Sequence, residues 1–203
     1  MSITRGARTL ATAGLLLVAL AACSDDEPKS GAPTSAPTTA TTATTPPTES
    51  QLASDNATRS IQNYFATVDR LNQDPSQPIN QLKKVATSVQ LTALKKSISD
   101  RRRDGEHQIG ATRIGDSKIQ TINLDNSDPK AGKVPTVFID VCWDVSDVDV
   151  VDKNGKSVVL ATRPDTGWTR YTVANYNWSN DPDGAWRVAG GEDLETTPCS
   201  PAA

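Results

Sequence analysis

The sequence is poor in the residues from which catalytic and metal sites are usually built. Its 203 residues include one histidine, three cysteines and one methionine, and its aromatic residues are four tryptophans, three tyrosines and two phenylalanines. The single histidine, His107, excludes a histidine dyad, and we interpret it as a solvated loop residue. The Gly-x-Ser-x-Gly, His-Glu-x-x-His and glycine-rich phosphate-loop motifs are absent. We therefore predict a protein that is not an enzyme, with no catalytic residue, metal site or cofactor.

Long hydrophobic runs are also missing. The uncharged stretch from Leu10 to Ala22 is shorter than the about 20 apolar residues that a hydrocarbon core of ~30 Å requires. It follows Arg5 and Arg8, with no acidic residue before it. A basic start followed by a short apolar stretch predicts a signal peptide over residues 1–22.

The predicted signal peptide ends in Leu20-Ala21-Ala22-Cys23, which resembles the lipobox of bacterial lipoproteins. The resemblance implies that Cys23 is diacylated, for example with palmitate, and becomes the first residue after cleavage. Two acyl chains anchor a protein stably where one chain is marginal. We therefore expect an extracytoplasmic protein, lipid-anchored to the outer face of the cell membrane. The alternative is an ordinary signal peptide followed by a chance cysteine.

The segment that follows, residues 23–53, lacks hydrophobic periodicity and is rich in threonine, proline, alanine and serine. Such a composition buries too little apolar surface to offset chain entropy, so we predict a disordered tether. A flexible chain of ~30 residues spans about 30 Å on average. Threonine-proline tracts on secreted proteins are often O-glycosylated, and the sequence does not distinguish a glycosylated tether from a bare one.

Positive charge is sparse. The chain has 21 basic and 24 acidic residues, a net charge of −3, which becomes −5 once Arg5 and Arg8 are removed with the signal peptide. Nucleic acid is therefore excluded as a partner, because phosphate binding needs a concentrated positive surface. The one basic cluster, Arg101–Arg103, falls at the end of a predicted helix, where cations complement the helix dipole. The alternative for this cluster is a patch that binds an anionic ligand.

Two cysteines, Cys142 and Cys199, remain after lipidation of Cys23. An even remainder in an exported protein predicts a disulfide, worth about 4 kcal/mol on the chain-entropy model. Two free thiols are the alternative. Cys199 lies in a C-terminal tail, residues 196–203, that follows the predicted domain.

The predicted domain, residues 54–195, begins with helices. Ser54-Asp55 can cap the first helix, which ends at Asn72–Pro75. Its apolar residues fall on one face: Ala57, Ile61, Tyr64, Phe65, Val68 and Leu71. A short helix after Pro78 carries Ile79, Leu82 and Val85, and a third runs from Thr87-Ser88 to Asp104 with Val89, Leu91, Leu94 and Ile98 inside.

After Gly105 the apolar pattern changes to alternation, which predicts strands. These are Ile114 to Leu124 with a break at Gly115-Asp116, Val137 to Val145, Val148 to Val150, Ser157 to Ala161, Trp168 to Trp178, and Trp186 to Val188. In the second strand, Asp140, Cys142 and Asp144 alternate with apolar residues, so we expect both aspartates to be exposed. The parity then switches, which predicts a bulge near Ser146-Asp147. Asp152–Gly155 is typical of a hairpin turn and lacks the spacing of a calcium loop.

Helices followed by antiparallel strands predict an α+β fold. One long and two shorter helices, then a meander ending in Asp183-Gly184-Ala185-Trp186-Arg187-Val188, resemble the nuclear-transport-factor-two-like cone fold of secreted actinobacterial or actinophage lipoproteins. The resemblance implies three helices packed on a curved antiparallel sheet that encloses a conical cavity. Isomerases, dehydratases and many non-catalytic proteins share this fold, so the fold does not fix a function.

We expect a cavity, if one forms, to be lined by Tyr64, Trp143, Trp168 and Tyr176. With so few aromatic residues we expect side chains to fill it, although an open apolar cavity would bind a small apolar ligand. The predicted function is a non-catalytic binding or accessory lipoprotein whose partner is the membrane together with an envelope protein or such a ligand. The alternatives are a cavity enzyme of the isomerase or dehydratase type and a cell-surface interaction protein, in a prophage one that excludes other phages.

Overall fold

The computed structural model describes residues 46–195 and Cys199. The predicted signal peptide, Cys23, the tether up to residue 45 and the tail apart from Cys199 lie outside the described residues. Within residues 46–195 the helices are α1 (Glu49–Gln73), a 3-10 helix (Ile79–Lys84), α2 (Ser88–Asp104) and a short 3-10 helix (Pro129–Ala131). The strands of the same range are β1 (His107–Ile109), β2 (Arg113–Asn123), β3 (Thr136–Asp144), β4 (Asp149–Val151), β5 (Thr166–Asn175) and β6 (Trp186–Leu194). The predicted α+β class is confirmed.

Helix α1 begins earlier than the sequence pattern indicates. Thr48 is its N-cap, and Thr48 and Gln51 exchange hydrogen bonds between side chain and backbone in a capping box. Ala53, for which the composition predicts a place in the tether, lies inside the helix and is 1 % exposed. The predicted cap at Ser54 therefore lies six residues after the observed cap at Thr48, because the capping box contains no apolar residue that periodicity could detect.

This capping geometry leads to a prediction for truncated chains. A chain that starts at Pro46 should unfold at nearly the same urea concentration as one that starts at Ser24. A chain that starts at Ser54 should lose about 1–2 kcal/mol, because it lacks the capping box and the buried Ala53. Equal midpoints for the chains starting at Pro46 and Ser54 would show that the first turn of α1 contributes nothing.

The first 3-10 helix, α2 and the end of α1 form a small second core. Leu82 of the first 3-10 helix packs with Leu71 of α1 and Ile98 of α2. Arg102 at the end of α2 donates hydrogen bonds to the carbonyl oxygens of Leu71 (2.8 Å) and Gln77 (2.9 Å). Arg102 therefore ties α2 to the end of α1 and to the loop that follows it, and the Arg101–Arg103 cluster is not simply an exposed patch.

Within α2, the side chain of Val89 is 69 % exposed, contrary to its predicted place on the apolar face.

The strands form two separate sheets. One is antiparallel, with the order β2-β3-β5-β6, and the other is a two-stranded ribbon of β1 and β4. The parity switch after Val145 marks the passage of the chain from the larger sheet to the ribbon, so the predicted bulge at Ser146-Asp147 is wrong. Residues 157–161 form no strand beyond a single bridge at Ser157, and Leu160 is 76 % exposed there.

One face of the larger sheet packs on the helices, and we call it the helical face. Val137, Ile139 and Val141 of β3 lie on it and are fully buried. The main core joins them to residues of α1, β5 and β6: Ala57, Ile61, Tyr64, Tyr171, Val173, Trp186 and Val188.

Within the described residues, no helix is both long and apolar enough to span a membrane.

The opposite face, here called the outer face, carries the predicted disulfide. Cys142 and Cys199 are bonded with their Cα atoms 5.8 Å apart, and both are buried. Because Cys142 alternates with the core residues of β3, this bond holds Cys199 against the outer face. A structural disulfide is typical of proteins that fold outside the reducing cytoplasm.

The two aspartates of β3 also lie on the outer face, but they are not exposed as predicted. Asp140 is 7 % exposed and accepts two hydrogen bonds from Arg170, at 2.6 and 2.8 Å. Asp144 is 3 % exposed, accepts from the Ser146 backbone and pairs with Arg113 at 3.1 Å. Alternation predicts the correct face for both aspartates. They are buried because Arg170 and Arg113 of the neighbouring strands cover this face.

Asp144 should make the stability of the fold sensitive to acid. Hydrogen bonds with Ser146, and then the Arg113 guanidinium, lower the pKa of Asp144 from 3.8 to about 2. A group with a depressed pKa stabilises the fold above its unfolded pKa and loses that contribution as the pH falls through its folded pKa. The stability difference between the native protein and Asp144→Asn should therefore shrink between about pH 4 and pH 2 in urea titrations. The same substitution at the exposed Asp116 serves as the control, and a difference independent of pH would contradict the prediction.

Candidate functional site

A cleft of about 820 Å³ opens between the helices, the helical face of the sheet and the ribbon of β1 and β4. The helical wall includes Tyr64, Phe65, Val68, Leu94 and Ile98. The sheet contributes Trp143, Thr169 and Tyr171, and the strand β4 and its flanking loops contribute Val145, Val148, Val150 and Arg163. The cleft is thus open. The expectation that side chains fill the cavity is wrong.

Three aromatic rings at the cleft pack on one another. The ring centroid of Tyr64 is 5.4 Å from that of Phe65 and 5.7 Å from that of Tyr171, and those of Phe65 and Tyr171 are 5.8 Å apart. Edge and tilted contacts at these distances are favourable and rigidify the wall. Tyr64 and Tyr171 are almost fully buried, while Phe65 is partly exposed.

Of the four residues predicted to line a cavity, Tyr64, Trp143 and Trp168 line the cleft and Tyr176 does not. Tyr176 follows the end of β5 and is 52 % exposed. Trp168 pairs in register with Cys142, and the Lys118 ammonium lies 5.1 Å from its ring centroid. Trp168 therefore belongs to the outer-face row of β5 and contributes only to the edge of the cleft.

The position of Trp143 is fixed from two sides. A Cβ atom at Gly167 would lie 2.5 Å from the Trp143 ring, so only glycine at this position lets the ring lie against the backbone of β5. The Trp143 indole nitrogen donates to the Thr169 hydroxyl at 2.9 Å, which in turn donates to Asp193 at 2.7 Å. The chain of hydrogen bonds occupies the polar atoms of this wall and leaves the indole ring as an apolar surface.

The tyrosine hydroxyls at the cleft are weak acids. Burial raises the pKa of Tyr64 to about 12, although a hydrogen bond from Gln90 acts in the opposite direction. Burial also raises the pKa of Tyr171, and the nearby Tyr64 adds to the effect. A tyrosine is already protonated at neutral pH and the raised pKa widens that margin, so both phenols can donate hydrogen bonds but do not serve as bases.

Asp69 of α1 is a buried carboxylate at the cleft that the sequence reading missed. It is 8 % exposed and accepts three hydrogen bonds, from the Gln108 side chain (2.8 Å), the Thr112 backbone (2.8 Å) and the Thr112 hydroxyl (2.9 Å). Its place four residues after Phe65, on the apolar face of α1, was the available signal. These bonds fasten β1 and the start of β2 to the helix and occupy both carboxylate oxygens.

Two arginines also line the cleft. Arg163 donates to the carbonyl oxygens of Val145 and Val148, both at 2.9 Å. Arg101, the first residue of the basic cluster, donates to the Asn72 side chain at 3.3 Å. The sequence offered no signal for Arg163, because its loop has no periodicity.

His107 does not line the cleft. It lies in β1, opposite Val151 of β4, and its side chain is partly buried. The predicted loop position is therefore wrong, because a three-residue strand is too short for alternation to reveal. Among the described residues, no group of three histidine, cysteine, aspartate or glutamate side chains is arranged to hold a metal ion.

Comparison with known proteins finds no matching family model and no matching curated protein. Among solved structures, the chain is similar to the intermembrane space region of the chloroplast protein ARC6, at 15% identity over 74% of this chain and 100% of that chain, with a TM-score of 0.47. It is similar to a periplasmic fragment of TraM at 12% identity, covering 69% and 96%, with a TM-score of 0.42. For Aln2 from a Streptomyces species the identity is 12%, the coverage 70% and 84%, and the TM-score 0.30. We draw neither family nor function from likenesses of this size.

Proposed function

We propose that this chain is an extracytoplasmic, lipid-anchored binding protein, and that its cleft takes a small apolar molecule. The observation that carries the proposal is the open cleft of about 820 Å³ with its wall of aromatic and aliphatic side chains. Pockets for small molecules typically measure about 300–1,000 Å³ and combine an apolar lining with a few polar groups.

The chemistry of the wall favours binding over catalysis. The two carboxylates that line the cleft are Asp69, whose oxygens are already hydrogen-bonded, and Asp193, which is exposed and accepts from Thr169. Tyr64 and Tyr171 are protonated at neutral pH, as ordinary tyrosines are, and burial raises the pKa of each further. The cleft lining thus offers a ligand apolar contact surface and hydrogen-bond donors, rather than a positioned general base.

The proposed location rests on two features. The Leu20–Cys23 motif resembles a lipobox, and the disulfide between Cys142 and Cys199 is typical of an oxidising compartment. We also propose that the fold is the nuclear-transport-factor-two-like cone that the order of elements resembles. The helices in front of an antiparallel sheet, with a cleft between them, support this assignment.

A neutral fluorescent probe, N-phenyl-1-naphthylamine, tests the proposed cleft. Ser97 of α2 is exposed at the edge of the cleft, so Ser97→Trp should place a ring in the opening without disturbing the core. We expect the native protein to bind the probe, and Ser97→Trp to bind it about ten-fold more weakly or not at all. Ser99→Trp is the matched control, since Ser99 is exposed on the same helix and does not line the cleft. Absence of probe binding, or equal loss in both variants, would contradict the proposal.

A second experiment tests the anchor. With Cys23→Ser, the protein should lose metabolic labelling with palmitate and its partition into the detergent phase, because Cys23 is the proposed lipid acceptor. Cys199→Ala, which leaves Cys23 intact, should keep both. Unchanged partition of Cys23→Ser would overturn the proposed anchor but leave the cleft untouched.

A further inference from the structure

We propose that the apolar ligand of the cleft carries a single anionic head group, a carboxylate or a phosphate, and that Arg163 and Arg101 bind this group. The inference rests on the proposed function, because it names the class of molecule that the same cleft takes. Two arginines with unused hydrogen-bond donors lie beside the aromatic and aliphatic part of the wall.

Arg163 provides the main observation. One of its terminal nitrogens, Nη2, is occupied by the carbonyl oxygens of Val145 and Val148 and by Asp165 at 3.3 Å. Its Nε atom is buried and has no acceptor among the described residues. A ligand would meet the other terminal nitrogen, Nη1, rather than the buried Nε, because the side chain is partly exposed and Nη1 takes part in no hydrogen bond within the described residues. A guanidinium offers five N–H groups in a fork that matches carboxylate and phosphate oxygens. The backbone contacts hold this fork in place at the cleft.

Arg101 adds a second cation from the helical wall. It makes one long hydrogen bond, 3.3 Å to Asn72, which leaves most of its N–H groups for other acceptors. Arg102 and Arg103 differ from it, because Arg102 is bound to Leu71 and Gln77, and Arg103 is paired with Asp100 and Asp104 outside the cleft. Arg101 is thus the one member of the cluster that lines the cleft.

Arg163 Nη2 forms one salt bridge, at 3.3 Å to the exposed Asp165, which lies outside the cleft lining, whereas the acidic residues that line the cleft pair with neither arginine. Asp69 is occupied by Gln108 and Thr112 on the ribbon side, and Asp193 accepts from Thr169 on the sheet. Neither carboxylate forms a salt bridge with Arg101 or Arg163 among the described residues. A ligand anion would accept from the unused donors of the two arginines, while its apolar part would contact the aromatic rings.

Three probes of one chain length test the inference: decanoate, decyl phosphate and the uncharged methyl decanoate. Each competes with N-phenyl-1-naphthylamine for the native protein, and the displacement gives an apparent Kd. We expect at least one of the two anions to bind about ten-fold or more tightly than the ester, because charge-assisted hydrogen bonds are stronger than neutral ones. The tighter anion identifies the head group. Equal affinities for all three would overturn the inference, whereas the naphthylamine signal would still support the proposed apolar cleft.

Single variants identify the residues. Arg163→Gln and Arg101→Gln should each weaken binding of the favoured anion about ten-fold and leave the affinity for the ester unchanged. Arg103→Gln, on the same helix as Arg101 and outside the cleft, should change neither. If Arg163→Gln unfolds the loop, Arg101→Gln still tests the head-group site. Arg101 donates to the Asn72 side chain, whereas Arg163 holds its loop through backbone carbonyl oxygens. A variant that weakens anion and ester equally, or an Arg103→Gln that matches the other two, would contradict the proposed head-group site.

Discussion

Replacement of Cys142 and Cys199 together by alanine should lower the free energy of unfolding by about 4 kcal/mol. The bond spans 57 residues of sequence, so its loss restores a large number of conformations to the unfolded chain. Both cysteines are buried against the outer face of the sheet, and alanine leaves no polar atom there. The loss is a large fraction of the roughly 5–15 kcal/mol that typically stabilises a domain.

Urea unfolding followed by tryptophan fluorescence measures this effect. The native protein in the presence of a reductant should reproduce the midpoint of the double variant, and the reductant should leave the double variant itself unchanged. The second result separates loss of the disulfide from a general effect of the reductant. Equal midpoints for native protein with and without reductant would show that the bond contributes nothing to stability.

Asp69→Ala should lower the free energy of unfolding by about 3 kcal/mol. The carboxylate is buried and accepts hydrogen bonds from the Gln108 side chain and from the backbone and hydroxyl of Thr112. Alanine would leave these donors without acceptors in a buried environment, and each such donor costs about 1–3 kcal/mol. The ribbon of β1 and β4 would also lose the hydrogen bond of Gln108 to α1.

The matched control for this substitution is Asp55→Ala, which removes an exposed carboxylate from the same helix and should change stability by less than about 0.5 kcal/mol. Hydrogen exchange gives a second readout. Amides of the ribbon around Gln108 should lose protection in Asp69→Ala before those of β3 and β5. A loss of stability no larger than that of Asp55→Ala would show that the three hydrogen bonds do not hold the ribbon.

Local patterns predicted the elements whose signal is contained in their own residues. The apolar face of α1, the end of α2 at Gly105 and the core row of β3 are where the sequence placed them, because period 3.6 and period 2 follow from backbone geometry. The turn at Asp152–Gly155 also matches, since Gly155 adopts a positive φ of 78°. These features depend on neighbours in sequence and need no knowledge of the rest of the fold.

Errors occurred where a segment is short or where its environment comes from distant residues. β1 has three residues, too few to show alternation, so the sequence pattern predicts a loop for His107. The face of Asp140 and Asp144 was predicted correctly, but their burial depends on Arg170 and Arg113 of neighbouring strands. Tyr176 lies an even number of residues from Trp168 and Trp178, and this spacing predicts that the three share one face of a strand. β5 ends at Asn175, so Tyr176 lies outside the strand.

The sequence by itself determined the α+β class, the apolar face of α1 and, on the expectation that Cys23 carries a lipid, the pairing of Cys142 with Cys199. Each of these follows from residue spacing or residue number. The tertiary structure alone decided that the space between α1, α2 and the sheet is an open cleft rather than a filled core. It also decided that Asp69, Arg101 and Arg163 lie at this cleft. The physical reason is that a cleft is the gap left between elements distant in sequence, and its size depends on how those elements pack.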